Sequence, residues 1–263
     1  LPTTREDQTL NTPAQSLPQQ QASEQETREH LAACYRLVAH YGWDDLVATH
    51  ISARVPGRHD QFFINTFGMM FDEITASSLV KINLDGEVVD SSDRPINQAG
   101  FVIHSAVHEA RPDAGCVIHL HTRDGVAVSA LEQGLYPLNQ TAMTIASDIA
   151  FHEFEGVALD LDERARVQQD LGNHNLMLLR NHGTLALGQS IASAFARIYF
   201  LERACETQTR TLAMNAPIHQ APEAAVAKVA QQTAPQMLET FAVNMVWPAL
   251  LRKVQRLYPD YRD

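Results

Sequence analysis

The segment Cys116-Val117-Ile118-His119-Leu120-His121-Thr122 constrains this chain more than any other. Small and branched apolar residues run together from Cys116 to Leu120, which predicts a short strand buried on both faces. Side chains at i and i+2 of a strand share a face, so His119 and His121 leave its C-terminal end in one direction. By the same parity Cys116 sides with Ile118 and points away from them. Two neutral imidazoles on one face are two-thirds of an open metal site. A third histidine, in Asn181-His182-Gly183, lies at a second strand-turn-strand junction.

Around this segment the pattern switches repeatedly between the two periods. Helical spacing of Leu31, Cys34, Tyr35, Val38 and Ala39 predicts a helix over 27–41, ended by Gly42. Strands are predicted over 46–55 and 61–65, with a Pro56-Gly57 turn between them. Asp85-Gly86 predicts a hairpin pairing 79–84 with 87–90. Residues 97–110 form a helix stopped by Arg111-Pro112-Asp113, and a helix capped by Thr122 follows the His-x-His strand. A helix over 161–171 comes next, then strands over 176–179 and 184–187 that flank Arg180-Asn181-His182-Gly183. A long helix with a Ser190 cap runs to Met214, and 222–257 is mostly helix. Strands mixed with helices and hairpins imply a mixed sheet covered by helices. Residues 1–24, rich in Gln, Thr, Ser and Pro, read as a loose tail.

Bulk properties exclude several classes of partner. A chain of 263 residues with 45% hydrophobic and 19% charged content is that of a globular protein. Its formal net charge of −11 argues against nucleic acid or anionic lipid as partner. No apolar run has transmembrane length and no signal-peptide layout opens the chain. Cys34, Cys116 and Cys205 are odd in number and far apart, which fits a reducing cytoplasm. Neither Gly-x-Gly-x-x-Gly nor a Walker-type Gly-Lys-Ser/Thr is present. A closed structural zinc site would need a fourth ligand, usually Cys, and none is placed for it. From these residues alone, a catalytic metal centre and three separately satisfied histidines both stay open.

Three segments in order carry a resemblance: Gly100 to Asp113 (GFVIHSAVHEARPD), Cys116 to Thr122, and Leu178-Leu179-Arg180-Asn181-His182-Gly183. Together they resemble the class II aldolase and adducin head-domain family over roughly residues 29–214, and the 61-residue step from His121 to His182 suits that family. The resemblance implies a three-layer α/β/α sandwich with a central mixed, largely antiparallel sheet. On it, residues 25–215 are the aldolase-like domain and 216–263 a helical extension packing on the domain or on a neighbouring subunit. It also implies a divalent metal on His119, His121 and His182 (zinc first, manganese or iron as alternatives) and a cytoplasmic homotetramer acting on a small molecule. Such a metal acts as a Lewis acid, stabilising the enediolate or carbanion left when a C–C bond breaks.

The chain departs from the sugar-phosphate aldolases of that family at the acid/base. Their Ser-Ser-Glu segment is here Gln98-Ala99-Gly100, and glycine neither ligates nor transfers a proton. Their Gly-Asn phosphate loop is here Thr49-His50, whereas Gly68 fits the second glycine loop. The expectation is therefore a metal-dependent lyase, cleaving or decarboxylating a small oxo-, hydroxy- or aromatic acid. A three-His non-haem iron oxygenase and a non-catalytic adducin-like binding module are the alternatives. His104 and His50 are the candidate catalytic residues, and Gly68, Asn97 and Gln98 the candidate substrate contacts. Each has a plainer role open to it: a helical His bonded to backbone, a His at a strand end, a helix cap. Arg252, Tyr258 and Tyr261 read as ordinary helix surface.

Overall fold

The computed structural model describes residues 22–233 and 235–263. The tail predicted over 1–24 therefore lies outside the described residues, except that Ser23 caps the first helix, α1 (Glu24–His40), by accepting the Glu26 N–H.

Seven strands among the described residues form one sheet in the order β3-β2-β1-β4-β7-β6-β5. They are β1 (His50–Arg54), β2 (Gln61–Ile64), β3 (Val80–Asn83), β4 (Cys116–Leu120), β5 (Ile149–His152), β6 (Leu176–Leu179) and β7 (Gly183–Gly188). Only β5 and β6 run parallel; every other neighbour is antiparallel. The central strand β4 is buried at all five positions, as its apolar run requires.

Strand parity splits the core in two. Ile51, Ala53, Phe63, Cys116, Ile118, Leu176, Leu178 and Ala186 face one layer. That layer holds α1, α3 (Arg123–Ser129), α4 (Gln140–Ile145) and α6 (Ile191–Ala213). Phe62, Ile64, Val117, Met177, Leu179, Leu185 and Leu187 face the other, packed on α2 (Gln98–Ala110) and α5 (Glu163–Leu171). The result is the three-layer α/β/α arrangement around a mixed, largely antiparallel sheet. No helix among the described residues is long and apolar enough to cross a membrane.

The last helices, α7 (Glu223–Gln232), α8 (Pro235–Phe241) and α9 (Trp247–Leu257), are linked in part by a π-helical stretch, Ala242–Val246. Trp247 and Val254 from α9 enter the first core layer, and so does Tyr261, which is buried rather than on the helix surface. Arg36 of α1 also pairs with Asp260 at 2.9 Å.

Three local expectations are corrected. The strand predicted from residue 46 begins at His50, because Leu46 takes a left-handed φ of 49° and the chain turns there. The Asp85-Gly86 turn forms, but its second strand shrinks to a single bridge, Ile82 to Val88. Finally α4 and β5 are additional elements. The burial of β5 alternates with the exposed Phe151, and its four residues are too few to stand out as a period.

Candidate metal centre

Antiparallel pairing brings the start of β1, the end of β4 and the start of β7 to one end of the sheet. His50 pairs with His119, and Leu120 with Thr184, two residues after His182. Between β6 and β7 the chain turns through Asn181 at φ 55°, a conformation Asn tolerates. Glycine is required next: a Cβ on Gly183 would lie 2.3 Å from the Leu120 carbonyl oxygen. This close backbone approach sets His182 beside the β4 histidines. A ligand atom from each of His119, His121 and His182 lies within 4.8 Å of the others.

Hydrogen bonds fix the protons of two of these rings. The Nδ1–H of His119 donates to the Thr184 carbonyl at 3.0 Å, and that of His121 to the Asp45 carboxylate at 3.1 Å. Carbonyl and carboxylate only accept, so in the neutral rings that a metal needs both Nε2 atoms are bare. The two Nε2 atoms face each other at 3.0 Å. Two neutral rings in this tautomer would set lone pair against lone pair unless a proton or a metal ion lay between them. Tetrahedral zinc, with Zn–N of about 2.0–2.1 Å, would space such nitrogens by roughly 3.3 Å. The donor set therefore fits a borderline divalent metal. Burial, reinforced by the neighbouring imidazoles, pushes His119 well below the usual histidine range and His182 down to about 4. Both are in the neutral form a metal needs.

Two carboxylates absent from the expected site support it. Asp45 orients His121. Glu202, on α6, is 3% exposed and accepts hydrogen bonds from the Thr122 and Thr184 hydroxyls, so it ties the loop after His121 to β7. Burial drives Glu202 up to about 7 against the opposing pull of these two hydroxyls. A Glu on the buried face of an apolar helix was its signal in the sequence; Asp45, reached through the turn at Leu46, had none. Beside His121 opens a cleft of about 530 Å³ walled in part by Asp44, Asp45, Arg123 and Glu206.

On the α2 face, the two departures from the sugar-phosphate pattern meet. A Cβ on Gly100 would lie 2.5 Å from Cγ and Cδ2 of His50. The imidazole of His50 thus fills the space in front of Gly100. Its ring stacks 6.0 Å from His119 and meets His104 edge-on at 5.6 Å. Neither nitrogen of His50 has a partner, nor does Nε2 of His104 or Oγ1 of Thr49, and all are buried. Burial lowers His50 to about 3 and takes His104 well below the usual range, so both stay neutral.

The remaining candidates sit around the same end. Asn97 uses its side chain to cap α2, accepting the Ala99 N–H at 3.0 Å. Gln98 is exposed on the first turn of α2, and Gly68 is exposed at φ 93° in the loop after β2. No hydrogen bond joins any of these three to the histidines.

Comparison with known proteins agrees with the fold. The family model described as Class II Aldolase and Adducin N-terminal domain matches residues 29–209. The chain is 49% identical over 242 residues to a Caulobacter vibrioides protein provisionally named an aldolase class 2 protein, covering 92% of this chain and 93% of that one. It is 46% identical over 186 residues to alpha-adducin of Mus musculus, covering 70% of this chain but 25% of that one. Among solved structures, an aldolase II superfamily protein from Pseudomonas syringae superposes with a TM-score of 0.84 at 46% identity, over 94% of this chain and 98% of that one. An L-fuculose 1-phosphate aldolase from Glaciozyma antarctica PI12 gives 0.81 at 27% identity, over 94% and 97%.

Proposed function

The chain belongs to the class II aldolase and adducin N-terminal domain family, and on that premise we propose that it is a divalent-metal-dependent lyase acting on a small oxo-, hydroxy- or aromatic acid. The observation that carries this reading is the convergence of the bare His119 and His121 Nε2 atoms at 3.0 Å, with His182 beside them.

His119, His121 and His182 would hold the cation, with zinc fitting the all-imidazole set and manganese or iron as alternatives. When bound, it would supply the Lewis acidity that stabilises negative charge left by C–C cleavage or loss of CO2. The chain's own residues do the rest. Thr184 and Asp45 keep the Nδ1 protons of His119 and His121 in place, so their lone pairs stay aimed. His50 and His104, both held neutral by burial, leave unpartnered nitrogens beside His119 that would serve as hydrogen-bond partners rather than as strong bases. With Gly100 blocked by His50, no carboxylate acid/base stands at that position. That favours decarboxylation, which needs no base to start. Gly68, Asn97 and Gln98 would border the substrate from the two neighbouring loops.

We read residues 25–215 as the catalytic domain and 216–263 as its helical extension, in a cytoplasmic homotetramer. A second reading, a binding module without turnover, draws support from the 46% identity to alpha-adducin. One experiment separates the two. Wild type and His119→Ala are compared for bound zinc, then assayed anaerobically with zinc, manganese and Fe(II) on oxo- and aromatic acids. Metal that depends on His119 together with oxygen-independent turnover is the expected result. Equal metal in both proteins refutes the enzyme reading, and turnover that needs both Fe(II) and O2 replaces the lyase with an oxygenase.

A further inference from the structure

Behind His104 runs a chain of hydrogen bonds whose direction can be read from its far end. The Nδ1 of His108 lies 3.2 Å from the Ala114 carbonyl oxygen, which only accepts, so Nδ1 carries the proton and Nε2 is bare. That bare nitrogen lies 2.8 Å from Oγ of Ser52 and therefore receives the serine proton. The serine oxygen, its one proton committed, lies 2.6 Å from Nδ1 of His104 and accepts from it. His104 is thus the Nδ1–H tautomer, and its Nε2 is a bare acceptor, buried and without a partner.

The chain is held from both sides. Ser52 shares a face of β1 with His50, while His104 and His108 are four apart on the inward face of α2. Phe62 stacks on the His108 ring at 4.7 Å, and Arg54 donates to the His108 carbonyl at 2.7 Å. An orphaned buried acceptor costs stability. This network ends in one, with the unpartnered His50 beside it, one ring away from His119.

Building on the metal-dependent reading above, we propose that Ser52 and His108 are positioning residues that lock His104 in the Nδ1–H tautomer, leaving its Nε2 a bare acceptor beside His50, the ring that stacks on His119.

The test reads the tautomer directly, by long-range proton–nitrogen correlation of histidine-15N-labelled, zinc-loaded protein, with His104→Asn to assign the signals. Wild type is expected to show protonated Nδ1 and bare Nε2 at residue 104. In His108→Phe the serine loses its acceptor and turns to donate to Nδ1, so the two signals should exchange. In His108→Gln an acceptor oxygen is restored and the wild-type pattern should return. Should His108→Phe fail to fold, Ser52→Ala carries the test, with residue 104 expected to lose its single fixed tautomer. A protonated Nε2 in wild type, or a pattern unmoved by His108→Phe or Ser52→Ala, overturns the proposal. Zinc titration of the same samples against His119→Ala keeps the two readings apart. Zinc binding that ignores His119 removes the metal site while the tautomer result stands on its own. Zinc binding that needs His119, with the wrong tautomer, removes only the role of Ser52 and His108.

Discussion

Two groups of histidines lie within a ring or two of each other and are built on opposite terms. In the first, His119, His121 and His182, the outer nitrogens of His119 and His121 are spoken for and their inner ones converge on one another. In the second, His104 and His108 are threaded on Ser52 and sealed from water, with unsatisfied atoms only at the end nearest the first group. The difference teaches what each can do. Convergent lone pairs call for a cation, whereas a directed chain of neutral rings delivers one acceptor at a fixed place and carries no charge.

Removing a ligand from the first group should break this comparison most completely. His119→Ala is expected to weaken zinc binding by more than about 100-fold, beyond the 10–100-fold that loss of an outer partner typically costs, as read by calorimetric titration. The second group should keep its tautomers in that variant.

The support beneath the triad gives the next effect. Glu202 holds its proton up to about 7, against 4.5 for a free carboxyl. The folded state therefore binds a proton that the unfolded chain has already lost between these values, and stability falls as pH rises through that window. The full effect is on the order of 3 kcal/mol. Glutamine has no such proton to lose. Urea unfolding of Glu202→Gln and wild type at pH 4.5 and 7.5 should show the variant gaining on wild type by that amount. A difference that does not change with pH would mean that Glu202 titrates normally.

Gly100→Ala probes the boundary between the two groups. The added methyl meets the His50 ring, and overpacking of this kind costs about 1–3 kcal/mol. Adding His50→Ala should recover most of the loss, and a double-mutant cycle measures the coupling. Additive effects would show that His50 does not fill that space in solution.

Asp45→Ala is expected to have the smallest effect. His121 keeps its place but loses the partner that fixes its proton, so zinc should bind about 10-fold more weakly, the lower end for an outer partner. Stability should not change measurably, because the Asp45 side chain is half exposed.

Much of this was written locally. Five apolar residues in a row specify β4, Ser190 specifies where α6 begins, and strand parity alone puts His119 and His121 on one face. What stayed hidden depends on neighbours distant in sequence. The ring of His50 fits against Gly100 only because β1 packs under α2, and neither residue announces the other. Asp45 reaches His121 through a left-handed turn at a leucine, which no local preference predicts. β5 pairs along β6 through its backbone and leaves Phe151 exposed, so its hydrophobic pattern is weak.

The close approach of Gly183 to the Leu120 carbonyl has a consequence for any ion the site would take. The β4–β7 contact joins segments more than sixty residues apart, so the third histidine reaches the first two only through long-range pairing. Without that pairing the chain presents His119 and His121 as a loose pair. On the metal-dependent reading, firm binding would require the closed sheet, and ion uptake would report the arrival of the native state.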